Sequence, residues 1–217
     1  MKKISTFAII AAAASLAACG SKTDANAKNF GAAISQYLAQ EGVLYMGLDD
    51  WPVDLRESEI KSALKLGWGK AKQITALESI GLVKGEEIEE DVTNFKGRPT
   101  GRKRKFTRYT LSDAAKPFTC EKKMFAGSRY EKTLTDLCWG KKALDKVVKW
   151  DAPMSLGEYK MTEVTYIYKI ENLAEWANNP EVQEAFPRIK KILDRDKEVT
   201  LSVHLTSEGW EAGRSGF

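Results

Sequence analysis

The amino-acid sequence predicts an α+β fold, in which helices cover an antiparallel β-sheet. Two patterns lead to this prediction. In the first part of the chain, apolar residues recur at the helical period, as at Phe30, Ala33 and Ile34. In the second part, apolar and polar residues alternate over 159–170 and again over 199–205. That alternation is typical of strands with one buried face.

Three helices are predicted in the first part of the chain. The first begins near Asn29, a favourable N-cap residue, and ends near Gly42. Asp54 followed by Glu57 has the spacing of a capping box, which predicts the start of the second helix. The third helix ends at Gly81, because glycine is favoured just beyond a helix C-terminus.

Strands are predicted between the first two helices and after the third. A short strand is expected around 44–46, and two longer strands are expected over 82–92 and 102–111. Residues 94–101 contain two glycines and a proline, which predicts the loop of a hairpin between the longer strands.

Three helices followed by a two-stranded hairpin is the order of a winged-helix domain. Residues 76–83, Ala-Leu-Glu-Ser-Ile-Gly-Leu-Val, resemble the end of its recognition helix and the beginning of its wing. Residues 108–114, Arg-Tyr-Thr-Leu-Ser-Asp-Ala, resemble its returning strand, where many such domains have Tyr-x-Leu-Thr-x-x-Gly. Ala115 stands where that family usually has glycine. The resemblance implies a winged-helix-like domain over 29–118.

The last part of the chain, 119–217, is predicted to be an antiparallel α+β domain with a helical insertion. Residues 117–132 are charged and are expected to form a loop. Helices over 172–177 and 181–193 are interrupted by Pro180 and Pro187. The strands are expected at 134–139, 141–150, 159–170, 199–205 and 209–212.

The N-terminus has the organisation of a secretory signal. Lys2 and Lys3 precede a short apolar run over 4–15, which is too short to cross a bilayer core of ~30 Å as a helix. Leu-Ala-Ala-Cys at 16–19 then resembles the lipobox of bacterial lipoproteins. The resemblance implies that 1–18 is removed and that Cys19 receives a diacylglycerol on its sulfur and is then acylated, for example with palmitate.

The lipobox also suggests a location. Gly20, rather than aspartate, follows the cysteine, and in the sorting pattern of such lipoproteins this implies the outer membrane, facing the periplasm. The alternative is the periplasmic side of the inner membrane. Residues 19–28 are small and polar and are expected to form a lipidated tether. The later order Cys138, Lys149-Trp150, Thr165-Tyr166 and Gly209-Trp210 resembles uncharacterised lipoproteins of Gram-negative bacteria, a resemblance that implies no activity.

Two cysteines remain once Cys19 is assigned to lipid. Cys120 and Cys138 predict a structural disulfide in an oxidising compartment, worth about 3 kcal/mol in the chain-entropy model. The alternatives are a zinc site and a redox pair. A zinc site lacks ligands, because His204 is the only histidine and no Cys-x-x-Cys occurs. No metal and no cofactor are therefore expected.

Charge is concentrated in the predicted hairpin. Its second strand and loop carry seven basic residues and no acid over 96–108, whereas 86–91 carries five acids. Cross-strand pairing of the two runs is the favoured interpretation. The alternative is contact of the candidate residues Arg102, Lys103, Arg104 and Lys105 with an anionic envelope partner. Nucleic acid is not expected, because the chain is predicted to be exported and, without Lys2 and Lys3, its net charge of +4 falls to about +2.

The sequence favours a binding function over catalysis. It has no Gly-x-Ser-x-Gly, no His-Glu-x-x-His and no Walker-type glycine loop, and His204 lies on the polar side of a predicted strand. We therefore expect a lipid-anchored, periplasm-facing envelope protein with a non-catalytic binding or scaffolding role. Its expected partners are the membrane, through lipidated Cys19, and an envelope protein or the cell wall. The alternative is a cell-wall hydrolase or an inhibitor of an envelope enzyme.

Overall fold

A computed structural model describes residues 21–48, 51–125, 127–195 and 197–213, apart from the side chains of Leu64 and Leu156. The predicted signal sequence, 1–18, and the candidate lipidation residue Cys19 lie outside the described residues.

The predicted α+β fold is confirmed, since the chain contains both helices and antiparallel sheets. The helices are α1 (Ala27–Glu41), α2 (Glu57–Leu66), α3 (Lys70–Ser79), α4 (Pro180–Ala185) and α5 (Pro187–Asp194), with 3-10 helices at Asp113–Phe118 and Glu175–Asn178. The strands are β1 (Val43–Tyr45), β2 (Val53–Leu55), β3 (Val83–Thr93), β4 (Pro99–Leu111), β5 (Thr119–Met124), β6 (Lys132–Trp150), β7 (Met154–Leu156), β8 (Tyr159–Glu171), β9 (Glu198–Thr206) and β10 (Gly209–Ala212).

A small sheet of three antiparallel strands, in the order β2-β4-β3, is formed by the first part of the chain. Helices α2 and α3 lie between β2 and β3 in the sequence. Helix α2 begins one residue after Arg56, whose backbone N–H donates to the Glu59 carboxylate at 2.7 Å. The predicted cap Asp54 instead lies in β2, a strand of three residues that is too short to produce a clear alternating pattern.

A large sheet of seven strands is formed mainly by the second part of the chain. Its main path is β1-β6-β8-β9-β10, with β5 paired to β6 and β7 paired to β8. The two strands predicted over 134–139 and 141–150 are one strand, β6, which continues through Gly140. A Cβ atom at this glycine would lie 2.8 Å from the Ile170 side chain, so the strand needs glycine for close packing rather than for a turn.

The charged segment predicted as a loop over 117–132 contains β5, which is a correction. This strand pairs with β6, from Thr119 opposite Leu137 to Met124 opposite Lys132. Its residues alternate between exposed and half-buried positions, which is the strand period. The pattern is difficult to recognise in the sequence because charged side chains occupy both kinds of position.

Helix α1 packs on the large sheet, although the winged-helix resemblance placed it with α2 and α3. Its buried residues Phe30 and Ile34 belong to the same core cluster as Val164, Tyr166 and Val203 of the large sheet. The sheet face that carries those residues is apolar and needs a covering layer. An amphipathic helix that precedes the sheet in sequence supplies this layer.

A second core cluster crosses the predicted domain boundary between residues 118 and 119. It contains Ile74 and Leu77 of α3, Trp139 of β6, and Val182 and Phe186 from the α4 region. Helices α4 and α5 therefore cover the contact between the small and large sheets. Residues of both predicted domains therefore contribute to this second core cluster.

Residues 21–26, part of the predicted tether, are held against the folded body. The indole N–H of Trp210 donates to the carbonyl oxygens of Thr23 and Asp24, at 3.2 and 3.1 Å. Asn26 is the N-cap of α1, and its side chain accepts a hydrogen bond from the Asn29 backbone N–H at 2.9 Å. The cap of the helix thus lies three residues earlier than predicted, at Asn26 rather than Asn29.

Candidate functional site: the charged hairpin

Strands β3 and β4 form the charged hairpin, in which the predicted acidic and basic runs face each other. Cα partners across the ladder are Glu89 with Lys105, Glu90 with Arg104, and Asp91 with Lys103. The antiparallel register places opposite charges side by side along most of the hairpin, and such pairs stabilise a ladder.

Three of the four candidate basic residues form ion pairs within the hairpin. The carboxylate of Glu89 lies 2.7 Å from the Lys103 Nζ and 3.3 Å from the Lys105 Nζ. The guanidinium of Arg104 lies 3.0 Å from the Glu90 carboxylate. The hydrogen bond from Lys103 is the main reason that the pKa of Glu89 is lowered below its ordinary value. The same contact raises the pKa of Lys103. These three basic residues are therefore paired with acids of β3, although their side chains remain exposed.

Arg108 joins all three strands of the small sheet. Its guanidinium donates to both carboxylate oxygens of Asp54, at 2.8 and 2.7 Å, and lies 3.6 Å from Glu90. This two-pronged hydrogen bond is the largest cause of the lowered pKa of Asp54. Asp54 therefore works with Arg108 to hold β2 against β4.

Two guanidinium groups cover the ring of Phe106. Those of Arg104 and Arg108 lie 5.3 and 5.2 Å from the ring centroid, within the range of a cation–π contact. Phe106 is buried beneath them. The basic residues of β4 thus contribute to packing as well as to charge pairing.

The hairpin tip, residues 94–98, has a different character. The Asn94 side chain accepts hydrogen bonds from the backbone N–H groups of Lys96 and Arg98, at 2.9 and 3.1 Å, which shapes the turn. Phe95 projects from this turn with 93% of its surface exposed. Within the described part of the chain, Lys96, Arg98 and the candidate residue Arg102 form no ion pair within 4.0 Å. Unneutralised positive charge and an exposed aromatic ring therefore occur together at the tip.

The neighbouring helices expose further apolar surface. Leu66 and Trp68, at the turn between α2 and α3, are exposed large hydrophobic residues. A groove between α2 and the hairpin is lined by the apolar residues Ile60, Ile88 and Phe106 and by charged residues that include Glu57, Glu89 and Lys105. Exposed aromatic and aliphatic groups beside basic residues are features of protein contact surfaces.

The predicted disulfide between Cys120 and Cys138 is confirmed. The bond joins β5 to β6, with the two Cα atoms 6.0 Å apart. Cys120 is paired in register with Asp136, so the disulfide connects diagonal neighbours rather than directly opposed residues. The cysteines therefore stabilise the sheet, in agreement with a structural role.

Asp136 is a buried polar residue that the sequence analysis did not identify. Its carboxylate is inaccessible to solvent and accepts three backbone hydrogen bonds, from Gly47 at 2.9 Å, Leu48 at 3.2 Å and Leu137 at 2.8 Å. It thereby holds the segment after β1 against β6. The only signal in the sequence is an acid between apolar residues of a strand, and that signal is common at surfaces.

The only histidine has a partner on the adjacent strand. His204 is partly buried, and its Nε2 lies 3.9 Å from the Glu211 carboxylate, directly opposite in the ladder between β9 and β10. Within the described ranges, no group of three or more His, Cys, Asp or Glu residues is arranged to hold a metal ion. In the same ranges, no helix has the length and apolar character needed to cross a membrane.

No protein-family model matches this chain, and no curated protein or solved structure is significantly similar to it. The function is therefore argued from the residues and their geometry.

Proposed function

We propose that the protein is an exported lipoprotein, anchored through Cys19 in the outer membrane, faces the periplasm and has a non-catalytic binding or scaffolding role. The lipobox-like Leu-Ala-Ala-Cys at 16–19 motivates the anchor. The disulfide supports export, because such bonds form and persist in oxidising compartments. With Cys19 acylated and the other two cysteines bonded to each other, each cysteine has a role.

We also propose that β2, α2, α3, β3 and β4 form a winged-helix-like unit. The position of two helices between β2 and the hairpin, and the strand order β2-β4-β3, support this. The packing of α1 on the large sheet departs from the expected three-helix arrangement. Because most basic residues of β4 are paired with acids of β3, the unit is not proposed to bind nucleic acid.

The proposed binding role rests on the composition and exposure of the hairpin tip, residues 94–98. Phe95 is nearly fully exposed and stands beside the basic residues Lys96 and Arg98. An aromatic anchor with adjacent positive charge suits an acidic protein surface, where the ring supplies buried area and the charges supply orientation. The proposed partner is an acidic envelope protein.

The anchor is tested by the variant Cys19→Ser in cells fed labelled palmitate. We expect loss of label and accumulation of the uncut precursor, because serine cannot form the thioether. The matched control is the double variant Cys120→Ser, Cys138→Ser, which retains Cys19 and should remain labelled. A labelled and processed Cys19→Ser protein would show that the anchor is elsewhere or absent.

The binding role is tested by cross-linking in intact envelopes and by purification of the cross-linked product. We expect a stoichiometric partner that is lost in the variant Phe95→Ser, Arg98→Gln. The control Lys190→Gln removes an exposed basic residue of α5, outside the hairpin and its neighbouring helices, and should retain the partner. Turnover of isolated peptidoglycan by the purified protein would contradict the non-catalytic role and favour a cell-wall hydrolase.

A further inference from the structure

The first described residues are held tightly against the end of the large sheet. The Asn29 side chain donates to the carbonyl oxygens of Ser21 and Asp24, at 2.8 and 2.9 Å. Trp210 adds two hydrogen bonds to this segment, and the backbone of Lys22 packs on Gly209, where an added Cβ would lie 3.3 Å from the Lys22 oxygen. The chain is therefore anchored to the body from Ser21 onward.

Only Gly20 separates Ser21 from Cys19. An extended chain advances about 3.5 Å per residue, so the Cα atoms of Cys19 and Ser21 are at most about 7 Å apart. A free tether over 19–28 would reach about 30 Å and allow the body any orientation. Because Gly20 alone separates Cys19 from Ser21, this end of the sheet stays beside any lipid attached to Cys19.

The same end of the large sheet carries the beginning of α1 and the ends of four strands. The Phe30 ring, in the first turn of α1, lies 5.4 Å from the ring of Trp150 and 4.9 Å from that of Trp210. Strand β6 ends at Trp150, and β8 begins nearby because it is antiparallel to β6. The turn between β9 and β10 is also here, since Met161 of β8 pairs with His204 near the end of β9.

This end, hereafter the Trp150 end, exposes large apolar side chains. Met154 and Tyr159 are 68% and 60% exposed, and Trp150 is 38% exposed. The charged residues next to them in sequence are of both signs, with Lys149 and Lys160 against Asp151 and Glu158. Aromatic rings and flexible apolar side chains with little net charge are favourable at a lipid–water interface.

We infer that the Trp150 end rests on the phospholipid bilayer, with Trp150, Met154 and Tyr159 in the interfacial layer. This inference rests on the proposed lipidation of Cys19, which supplies the short link. The acyl chains provide the affinity, and the apolar residues determine which face of the protein meets the lipid.

The inferred contact also positions the core that the first part of the chain shares with β6. Trp139, which belongs to the same core cluster as Ile74 and Leu77 of α3, precedes Trp150 by eleven residues along β6, a distance of about 35 Å at 3.3 Å per residue. On the membrane, this arrangement places the shared core about 35 Å along β6 from the residues in the interfacial layer.

The test uses the full-length chain, processed and lipidated in cells, with one added cysteine labelled by a bimane fluorophore. Met154→Cys reports on the Trp150 end, Tyr159→Cys is a second reporter there, and Phe95→Cys is the exposed control at the hairpin tip. Each protein is incorporated into vesicles of phosphatidylethanolamine and phosphatidylglycerol with brominated or ordinary acyl chains. Bromine quenches only fluorophores that enter the lipid.

At the Met154 and Tyr159 positions, we expect brominated chains to reduce emission about two-fold, because interfacial groups lie ~5–10 Å into the headgroup and acyl boundary. Emission at position 95 should not change. If brominated chains reduce the emission equally at positions 154 and 95, or only at position 95, the inferred orientation is overturned.

Vesicle flotation and the mass of the N-terminal peptide separate this inference from the proposed anchor. Lipidated protein that floats without quenching at position 154 would leave the anchor intact and refute the orientation. A chain without lipid on Cys19 would refute both.

Discussion

Asp136 shows how one side chain can connect two distant parts of the chain. The three backbone N–H groups that it binds belong to its own strand and to a segment almost ninety residues earlier. A buried carboxylate that satisfies several donors is costly to alter, because the donors lose both water and their partner.

We expect Asp136→Asn to lower the free energy of unfolding by about 2–4 kcal/mol, because an amide NH2 would face a backbone donor. Asp145→Asn, the same substitution at an exposed position of β6, should change it by less than about 0.5 kcal/mol. Urea unfolding of both variants checks this. Equal effects of the two substitutions would show that the Asp136 hydrogen bonds contribute little.

The pair formed by Asp54 and Arg108 predicts a pH dependence. Arg108 lowers the pKa of Asp54 in the folded protein, so the folded state favours the ionised carboxylate more than the unfolded chain does. Its contribution is therefore complete above the ordinary carboxyl pKa of 3.8 and is lost as the pH falls through the lowered value.

We expect Asp54→Asn to destabilise the protein modestly at pH 7 and to have little effect near pH 2, where the wild-type carboxylate is also protonated. Thermal melts of both proteins across this range give the difference, with Asp145→Asn as a control that should follow the wild type. A difference between Asp54→Asn and wild type that is constant with pH would contradict the charge-based explanation.

At the scale of elements, the charged hairpin combines stabilising pairs along its length with free charge at its tip. The ion pairs are exposed, so each is weak and sensitive to salt. Their joint effect is to favour pairing of the acidic run of β3 with the basic run of β4.

Replacing Arg102, Lys103, Arg104 and Lys105 together by glutamine should lower the melting temperature, because Glu89 loses both of its partners and Glu90 keeps only Arg108. The decrease should be smaller in high salt, since screening weakens both the lost attraction and the remaining repulsion. Arg102→Gln alone is the control and should have almost no effect, because Arg102 forms no ion pair in the described residues. We expect the quadruple variant to sediment with anionic vesicles to the same extent as the wild type.

The opposite result for the hairpin is equally informative. An unchanged melting curve together with lost vesicle sedimentation would mean that the basic run contacts an anionic surface and that the cross-strand pairs are unimportant.

The disulfide supports the hairpin of β5 and β6. Replacing Cys120 and Cys138 by alanine should lower the free energy of unfolding by about 2–5 kcal/mol, because the unfolded chain gains freedom. Mass mapping without reductant should show the two cysteine-containing peptides joined. Free thiols at both positions in exported protein would contradict the structure.

At the scale of the whole molecule, the shared core joins the two predicted domains. Leu77 of α3 and Trp139 of β6 are both buried in it, and α4 and α5 cover the junction. A core that crosses a domain boundary makes the two sides unfold together.

We expect a single unfolding transition in which fluorescence and far-ultraviolet circular dichroism coincide. Leu77→Ala should cost about 2–5 kcal/mol and should speed amide exchange in β8 as well as in β3. Ala76→Gly, a smaller change in the same helix, should cost about 1 kcal/mol. Two separate transitions, or faster exchange in β3 alone, would show that the units fold independently.

The sequence by itself determined the features that depend on near neighbours. Alternation predicted most of β8 and β9, and the disulfide followed from two cysteines left after Cys19 was assigned. The pairing of Glu89 with Lys103 and Lys105 was also predictable, because a hairpin brings together two runs that are close in sequence. The pairing of charges along the strands was therefore readable from the sequence, whereas the positive charge without an ion pair at the hairpin tip was not.

Tertiary structure alone decided the features that depend on residues far apart in the chain. Gly140 was expected to separate two strands, yet the Ile170 side chain beside it requires one continuous strand there. Helix α1 has an apolar face that fits either sheet, and only the uncovered face of the large sheet determines its position. The sequence predicted a free tether around Ser21, because Trp210, whose side chain holds this segment, lies almost two hundred residues later in the sequence. Local patterns indicate which residues must be buried. Which element each of them packs against is determined by residues that are far away in the sequence.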